Sequence, residues 1–141
     1  MKHDSRSTRS RKLETAFPPR TTSAAQMRRT LRTYLSGQAL DAKVIYDVVL
    51  AADEAFINAV GHAEVPDDLI RVTARVSESE ASVEIQDHGG GFALSNAATP
   101  RVPDVDRAHG RGVFLMESLM DEVSVRSGHR GTTVRMVRRL A

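Results

Sequence analysis

One apolar run, residues 42–63, most constrains the fold of this chain, because its length and period predict a single long helix. Within this run Glu54, Asn58 and His62 recur at a spacing of four. That spacing places the three side chains above one another on one helix face. The other positions are nearly all apolar, which predicts a largely buried helix. A buried polar group without a partner costs roughly 1–3 kcal/mol, so either the protein or a ligand must satisfy these groups.

The composition predicts one soluble domain. The 141 residues are 40% hydrophobic, which is enough for a single core. Aromatic residues make up only 4%, so stacking platforms for single-stranded nucleic acid are not expected. The chain has no cysteine, no apolar stretch of the roughly 20 residues that span a bilayer, and no secretory signal at its start. We therefore expect a cytoplasmic protein that does not enter the membrane.

Charge is unevenly distributed along the chain. Residues 1–35 contain nine Lys or Arg and two acidic residues, although the formal net charge of the whole chain is only +2. We expect residues 1–11 to form a disordered basic tail and residues 12–141 to form the folded domain. The basic excess fits either a solvated tail and helix face or a patch for an acidic partner. Nucleic-acid binding is the weaker prediction, because no DNA-reading motif accompanies the charge.

The element order predicts an α+β fold. The predicted elements are a strand at 13–17, a helix capped by Thr22 or Ser23 and ended by Gly37, a long helix capped by Asp41, a hairpin at 69–76 and 81–85, a loop at 93–109, a helix at 112–120, and strands at 122–127 and 132–139. A regular βαβ alternation is missing. The order therefore favours a two-layer α/β sandwich whose mixed, mostly antiparallel sheet carries helices on one face.

Three glycine-containing motifs follow the long helix. Asp87, with glycines two and four positions later, places a carboxylate beside a backbone that a planar ligand can approach, and a carboxylate suits an exocyclic amine. Gly110 and Gly112 precede a helix whose N–H groups can bind phosphate. A Gly-Thr pair opens the last strand. Taken singly, each motif also fits a plain turn or helix cap. In the same way, the row of Glu54, Asn58 and His62 also fits a polar helix face without a binding role.

The order of these motifs resembles the ATP-binding fold shared by gyrase, the Hsp90 chaperone, histidine kinases and MutL. Within that superfamily the chain is most similar to the bacterial anti-sigma factor serine/threonine kinases. The segments that carry the resemblance are Glu54-Ala-Phe-Ile-Asn58, Asp87-His-Gly-Gly-Gly-Phe92, Gly110-Arg-Gly-Val-Phe114 and Gly131-Thr-Thr-Val134. The resemblance covers about residues 13–140.

The resemblance implies a role for each matching residue. Glu54 corresponds to the catalytic carboxylate, which takes the proton from the attacking serine hydroxyl. Asn58 corresponds to the Mg²⁺ ligand, Asp87 to the reader of adenine, and Thr132 to a support on the adenine side. The implied nucleotide-binding set also contains Gly89, Gly91, Phe92, Arg107, Gly110, Arg111, Gly112, Val113 and Phe114. The loop at 93–109 corresponds to the family's lid over the nucleotide, and Arg101 and Arg107 in it are the candidates for contact with the γ-phosphate. His62 receives no chemical role.

The implied function is an ATP- and Mg²⁺-dependent protein kinase that is also an anti-sigma factor. Such kinases phosphorylate a STAS-type anti-anti-sigma protein, sequester a sigma factor, and are typically homodimers. The chain has no phospho-accepting His hairpin and no long transducer domain, which disfavours a histidine kinase and a gyrase-like ATPase. A non-catalytic, ATP-gated binding switch for a sigma factor or another regulator is the alternative.

Overall fold

The computed structural model describes residues 12–63, 68–88, 114–128 and 131–140. In chain order the elements are β1 (Leu13–Phe17), α1 (Ser23–Ser36), α2 (Ala42–His62), β2 (Ile70–Val76), β3 (Glu80–Asp87), the helix α3, described over residues 114–119, β4 (Glu122–Gly128) and β5 (Gly131–Arg139). These bounds confirm the predicted order of elements. The predicted loop at 93–109 lies outside the described residues.

The strands form one five-stranded sheet in the order β1-β2-β3-β5-β4. All four strand pairs among the described residues are antiparallel. In β3 the buried and half-buried positions alternate strictly, so one face of this strand packs against the core. The α+β sandwich is thereby confirmed.

The core lies between the sheet and helices α1 and α2. It is almost entirely aliphatic, and its largest fully buried side chains are those of Phe56, Met27, Leu31, Leu35, Ile70, Ile85, Met116 and Met136. Helix α2 packs against β3 and β5 and beside α1. Its buried row includes Val48, Ala52 and Ala55, which confirms that much of this helix is inside.

The helix ends differ from the prediction in one respect. Thr22 and Asp41 occupy the N-cap positions, but neither side chain makes a capping hydrogen bond. The predicted capping by these side chains is therefore wrong, although the helices begin where it placed them. Helix α1 ends before Gly37, as expected. Within the described ranges, no helix is both long enough and apolar enough to cross a bilayer.

Candidate functional site

Two contacts fix the direction of α2 across the sheet. Near its start, Oδ2 of Asp47 accepts a hydrogen bond from Nη1 of Arg138 on β5, at 2.5 Å. Further along, the ring of Phe56 meets that of Phe17 on β1 edge to face, with centroids 6.0 Å apart and planes at 82°. The first half of α2 therefore lies over the Arg138 end of β5, and the second half lies near Phe17.

The strand register places Asp87 at the end of the sheet where Phe17 lies. Phe17 pairs with Ile70, the β2–β3 register sets Ile70 level with Asp87, and Asp87 pairs with Thr132. These four residues form one row across the sheet. Since Phe56 packs on the first of them, the C-terminal half of α2 lies at the same end of the sheet as the Asp87 carboxylate.

Helix geometry sets the direction of Glu54 and Asn58. At about 100° per residue, both lie within roughly 20° of Asp47 around the helix axis. Asp47 faces β5 and the end of α3, because Arg138 binds both its carboxylate and the carbonyl oxygen of Leu119, the latter at 3.1 Å. Glu54 and Asn58 therefore face that side too. The fold brings both residues to the corner that contains Asp87.

The side chains of Glu54 and Asn58 are half-buried. Neither makes a hydrogen bond or an ion pair within the described ranges. His62, one turn further on, is half-buried as well and does have an interaction of its own. Of the three residues at this spacing, Glu54 and Asn58 are thus the two whose polar atoms have no partner within the described ranges.

Asp87 is a buried carboxylate that the neighbouring strand holds in place. It is only 4% exposed and lies at the end of β3 on the face that packs against the helices. Its Oδ1 accepts a hydrogen bond from the backbone N–H of Thr132 at 3.3 Å. The hydroxyl of Thr132 in turn shares a hydrogen bond of 3.0 Å with the hydroxyl of Ser127 on β4. Thr132 therefore orients Asp87 through its main chain, while its side chain is anchored to β4.

Gly131 allows this close approach of β5 to the end of β3. Its φ is +115°, and a Cβ built on it would lie 1.8 Å from the carbonyl oxygen of Asp87 and 2.8 Å from Cα of His88. No side chain fits in that space, and L residues rarely adopt that φ. The glycine of the Gly-Thr pair is thus required by backbone packing beside Asp87.

A buried ion pair anchors the base of α2. The side chain of Asp47 is 3% exposed and accepts hydrogen bonds from Arg138 and from Nζ of Lys43, the latter at 2.9 and 3.0 Å. Burial alone would raise the pKa of the Asp47 carboxyl, but the hydrogen bonds and charges of Arg138 and Lys43 outweigh burial and hold that pKa below its ordinary value. Because Arg138 also binds Leu119, this cluster joins α2, α3 and β5 at one point.

The oxygen atoms at this corner are suitable ligands for Mg²⁺ bound together with a nucleotide. Within the described ranges, no three His, Cys, Asp or Glu side chains lie close enough together to hold a metal by themselves. Mg²⁺ accepts hard oxygen ligands and is commonly held by one or two protein groups together with substrate phosphates. The amide oxygen of Asn58, half-buried and without a protein partner, fits that role.

Many of the predicted nucleotide contacts lie outside the described residues. They are Gly89, Gly91, Phe92, Arg101, Arg107, Gly110, Arg111, Gly112 and Val113. Phe114, which begins the described part of α3, has a side chain that is 72% exposed. Asp87 and Thr132 are in contact, and Glu54 and Asn58 lie on the side of α2 that faces β5 and α3.

Sequence reasoning missed two supports of this site. The Asp47–Arg138 pair is separated by 91 positions in the chain, so no local pattern predicts it. An aspartate within an apolar run, seven positions before Glu54, was the available signal. Ser127 was missed too, because a serine on an edge strand carries no distinctive pattern.

Comparison with known proteins gives consistent similarities. Residues 17–138 match the family described as the histidine kinase-like ATPase domain. The chain is 30% identical to an anti-sigma F factor of Clostridium acetobutylicum, over 92% of this chain and 94% of that protein. It is 37% identical to the serine-protein kinase RsbW of Bacillus subtilis, over 78% of this chain and 76% of that protein.

Solved structures agree with the fold. The structure of the RsbU and RsbW domains of a Mycobacterium tuberculosis protein superposes with a TM-score of 0.69 at 25% identity, over 92% of this chain and 32% of that longer chain. A blue-light activated histidine kinase domain from Erythrobacter litoralis superposes with a TM-score of 0.53 at 16% identity, over 87% of this chain and 61% of that chain. At that identity the second similarity concerns the fold alone.

Proposed function

The chain belongs to the histidine kinase-like ATPase domain family, and we propose that it is an ATP-dependent serine/threonine protein kinase that also acts as an anti-sigma factor. The names of its relatives in Clostridium and Bacillus support both parts of this assignment. The observation that carries it is the corner where Glu54 and Asn58, both without protein partners, face the Asp87 end of the sheet.

Glu54 is the proposed general base. A serine hydroxyl of the protein substrate would lie within hydrogen-bond reach of the Glu54 carboxylate, which takes its proton as the serine oxygen attacks the γ-phosphorus of ATP. The bond between that phosphorus and the β–γ bridging oxygen breaks, and ADP leaves.

Asp87 and Asn58 position the nucleotide. The Asp87 carboxylate, oriented by the N–H of Thr132, accepts a hydrogen bond from the exocyclic amine of adenine. Asn58 holds Mg²⁺, whose contribution when bound is to neutralise charge on the phosphates. The main-chain amides of the Gly110–Gly112 segment are proposed to contact the phosphates, together with Arg107 from the lid.

The remaining parts of the proposal concern partners and organisation. The substrate is a STAS-type anti-anti-sigma protein, the sequestered partner is a sigma factor, and the working unit is a cytoplasmic homodimer that switches between these partners. Residues 12–141 form one catalytic domain, preceded by a basic tail at residues 1–11. The anti-sigma factor and RsbW names of the relatives support the two partner classes.

Phosphoryl transfer to the partner tests this proposal. The full chain is incubated with γ-labelled ATP, Mg²⁺ and the STAS protein encoded nearest to it. We expect label on one serine or threonine of that protein, and no label when EDTA is present. Absence of label on the partner, at an ATP concentration where calorimetry shows that ATP is bound, would rule out the kinase and leave an ATP-gated switch.

A further inference from the structure

Two hydroxyl groups lie beside the Asp87 carboxylate on neighbouring strands. Oγ of Ser127 on β4 and Oγ1 of Thr132 on β5 are 3.0 Å apart, which is hydrogen-bond distance. Ser127 pairs with Thr132 and Thr132 pairs with Asp87, so the three residues form one row across the sheet. Directly paired residues project from the same face of a sheet. Both hydroxyls therefore lie on the face to which Asp87 belongs, the face that packs against the helices.

This row becomes more accessible from β3 towards β4. Within the part of the chain that the structure describes, Asp87 is buried, Thr132 is half-buried and Ser127 is exposed. Strand β4 is the last strand of the sheet on that side. A ligand that reaches the Asp87 carboxylate from the β4 side therefore passes the two hydroxyls first.

The two hydroxyls together have one more proton than their own hydrogen bond uses. Each has one O–H donor and two acceptor lone pairs. They make no other side-chain hydrogen bond to the described residues. When Ser127 donates to Oγ1 of Thr132, the proton of Thr132 remains for a ligand. The Thr132 hydroxyl is then fixed in direction, and the bond that it accepts polarises it as a donor.

Adenine has the complementary order of groups on its Watson–Crick edge. Its exocyclic amine is a donor, and ring nitrogen N1, bonded to the same ring carbon, is an acceptor. The Asp87 carboxylate suits the amine, as the proposed function requires. The neighbouring hydroxyl of Thr132, supplied with a hydrogen bond by Ser127, suits N1.

We propose that Ser127 is a positioning residue for the adenine base: its hydroxyl donates to Thr132 and thereby directs the Thr132 O–H at N1. This inference rests on the proposed function, because it needs adenine to lie against Asp87. It adds a residue of the edge strand to nucleotide recognition. In the competing interpretation, the hydroxyl pair only stabilises the β4–β5 hairpin, as cross-strand Ser and Thr pairs do.

An ATP analogue that lacks N1 tests this inference. In 1-deaza-ATP a C–H group replaces N1, so the amine and the phosphates remain but Thr132 has no acceptor. Calorimetry with the full chain and Mg²⁺ measures the affinity for both nucleotides. The parent should bind ATP about two- to tenfold more tightly than 1-deaza-ATP, the range expected for one neutral hydrogen bond. Ser127→Ala should weaken ATP binding by about threefold and leave 1-deaza-ATP binding unchanged.

Two other substitutions on β4 serve as controls. Ser127→Thr keeps a hydroxyl and suits a strand, so its ATP affinity should stay within about twofold of that of the parent. Ser124→Ala removes a hydroxyl from the same strand on the opposite face, where Ser124 pairs with Arg135. It should leave the affinity for both nucleotides unchanged. Urea unfolding of the two alanine variants measures stability separately from binding.

The possible results separate this inference from the proposed function. Equal weakening of ATP and 1-deaza-ATP by Ser127→Ala, or lower stability with unchanged ATP affinity, would assign Ser127 to the hairpin alone. Equal affinity of the parent for both nucleotides would place N1 away from Thr132 and overturn the inference, while the ATP site stands. A parent that binds neither nucleotide would contradict the proposed function and the inference together.

Discussion

The Asp87 carboxylate and the Thr132 main chain form one unit: Oδ1 of Asp87 accepts the N–H of Thr132 at 3.3 Å across paired strands. Asn at position 87 keeps an oxygen for that N–H and loses the negative charge. The fold should therefore survive Asp87→Asn, while the adenine amine loses a charged acceptor. A hydrogen bond to a charged group contributes about 1.5–3 kcal/mol, so ATP affinity should fall roughly 10- to 100-fold by calorimetry.

Glu84→Gln is the matched control for that substitution. Glu84 lies on the same strand but on the opposite face, where it pairs with Arg135 at 3.6 Å. The Glu84→Gln variant should bind ATP with the same affinity as the parent protein. An Asp87→Asn variant that binds ATP as tightly as the parent would remove Asp87 from the adenine site.

Gly131→Ala should destabilise the fold through backbone strain. The alanine Cβ would overlap the carbonyl oxygen of Asp87, and the φ of +115° is unfavourable for any residue with a Cβ. We expect a loss of about 2 kcal/mol or more in the free energy of unfolding, measured with urea. Gly128→Ala, on the neighbouring strand and paired with Gly131, meets no atom within 4 Å and should cost less than about 1 kcal/mol. Equal losses in the two variants would contradict the packing argument.

Arg138→Met should be strongly destabilising. It leaves the buried Asp47 carboxylate with Lys43 as its remaining partner within the described residues, and removal of one member of a buried pair typically costs about 3–5 kcal/mol. The neighbouring exposed pair, Arg139 with Glu122, supplies the control, because Arg139→Met should cost under about 1 kcal/mol. The free energy of unfolding of both variants is measured with urea at pH 7. If Arg138→Met loses no more of it than Arg139→Met does, the Asp47 cluster has no stabilising role.

The Asp47 carboxyl should also contribute acid sensitivity. Its folded-state pKa lies below the unfolded value of about 3.9, so its charge stabilises the fold above that pH. This contribution is lost as the pH falls through the folded-state pKa. The difference in unfolding free energy between the parent and Asp47→Asn should therefore be largest near neutral pH and shrink below about pH 4. A difference that grows on acidification would contradict a folded-state pKa of Asp47 below the unfolded value.

Periodicity predicted the elements well because local burial dominates their formation. The apolar run at 42–63 became α2, and the alternation at 81–85 became the core of β3. Contacts between distant residues were not predictable in this way. The partner of Asp47 is 91 positions away, and the hairpin glycines 128 and 131 look alike in the sequence, although only Gly131 has a positive φ.

The site could be predicted only in part for the same reason. Glu54, Asn58 and Asp87 could be proposed as site residues because their residue types and spacing resemble a known ATP-binding pattern. That Thr132 acts on Asp87 through its backbone N–H follows from the pairing of β3 with β5, which the sequence does not display. The predicted side-chain caps at Thr22 and Asp41 were wrong, because helix starts can be set by tertiary packing without a side-chain cap.

The most direct test of the account compares two adjacent carboxylates of α2. Asp53 pairs with Arg28 on the α1 side, whereas Glu54 faces the proposed catalytic corner and has no partner within the described ranges. In single-turnover transfer from bound ATP to the STAS protein, Glu54→Gln should reduce the rate by about 10²–10⁴-fold and leave ATP affinity unchanged. Asp53→Asn should transfer phosphate at the parental rate. Parental transfer by Glu54→Gln would contradict the central claim that Glu54 is the general base.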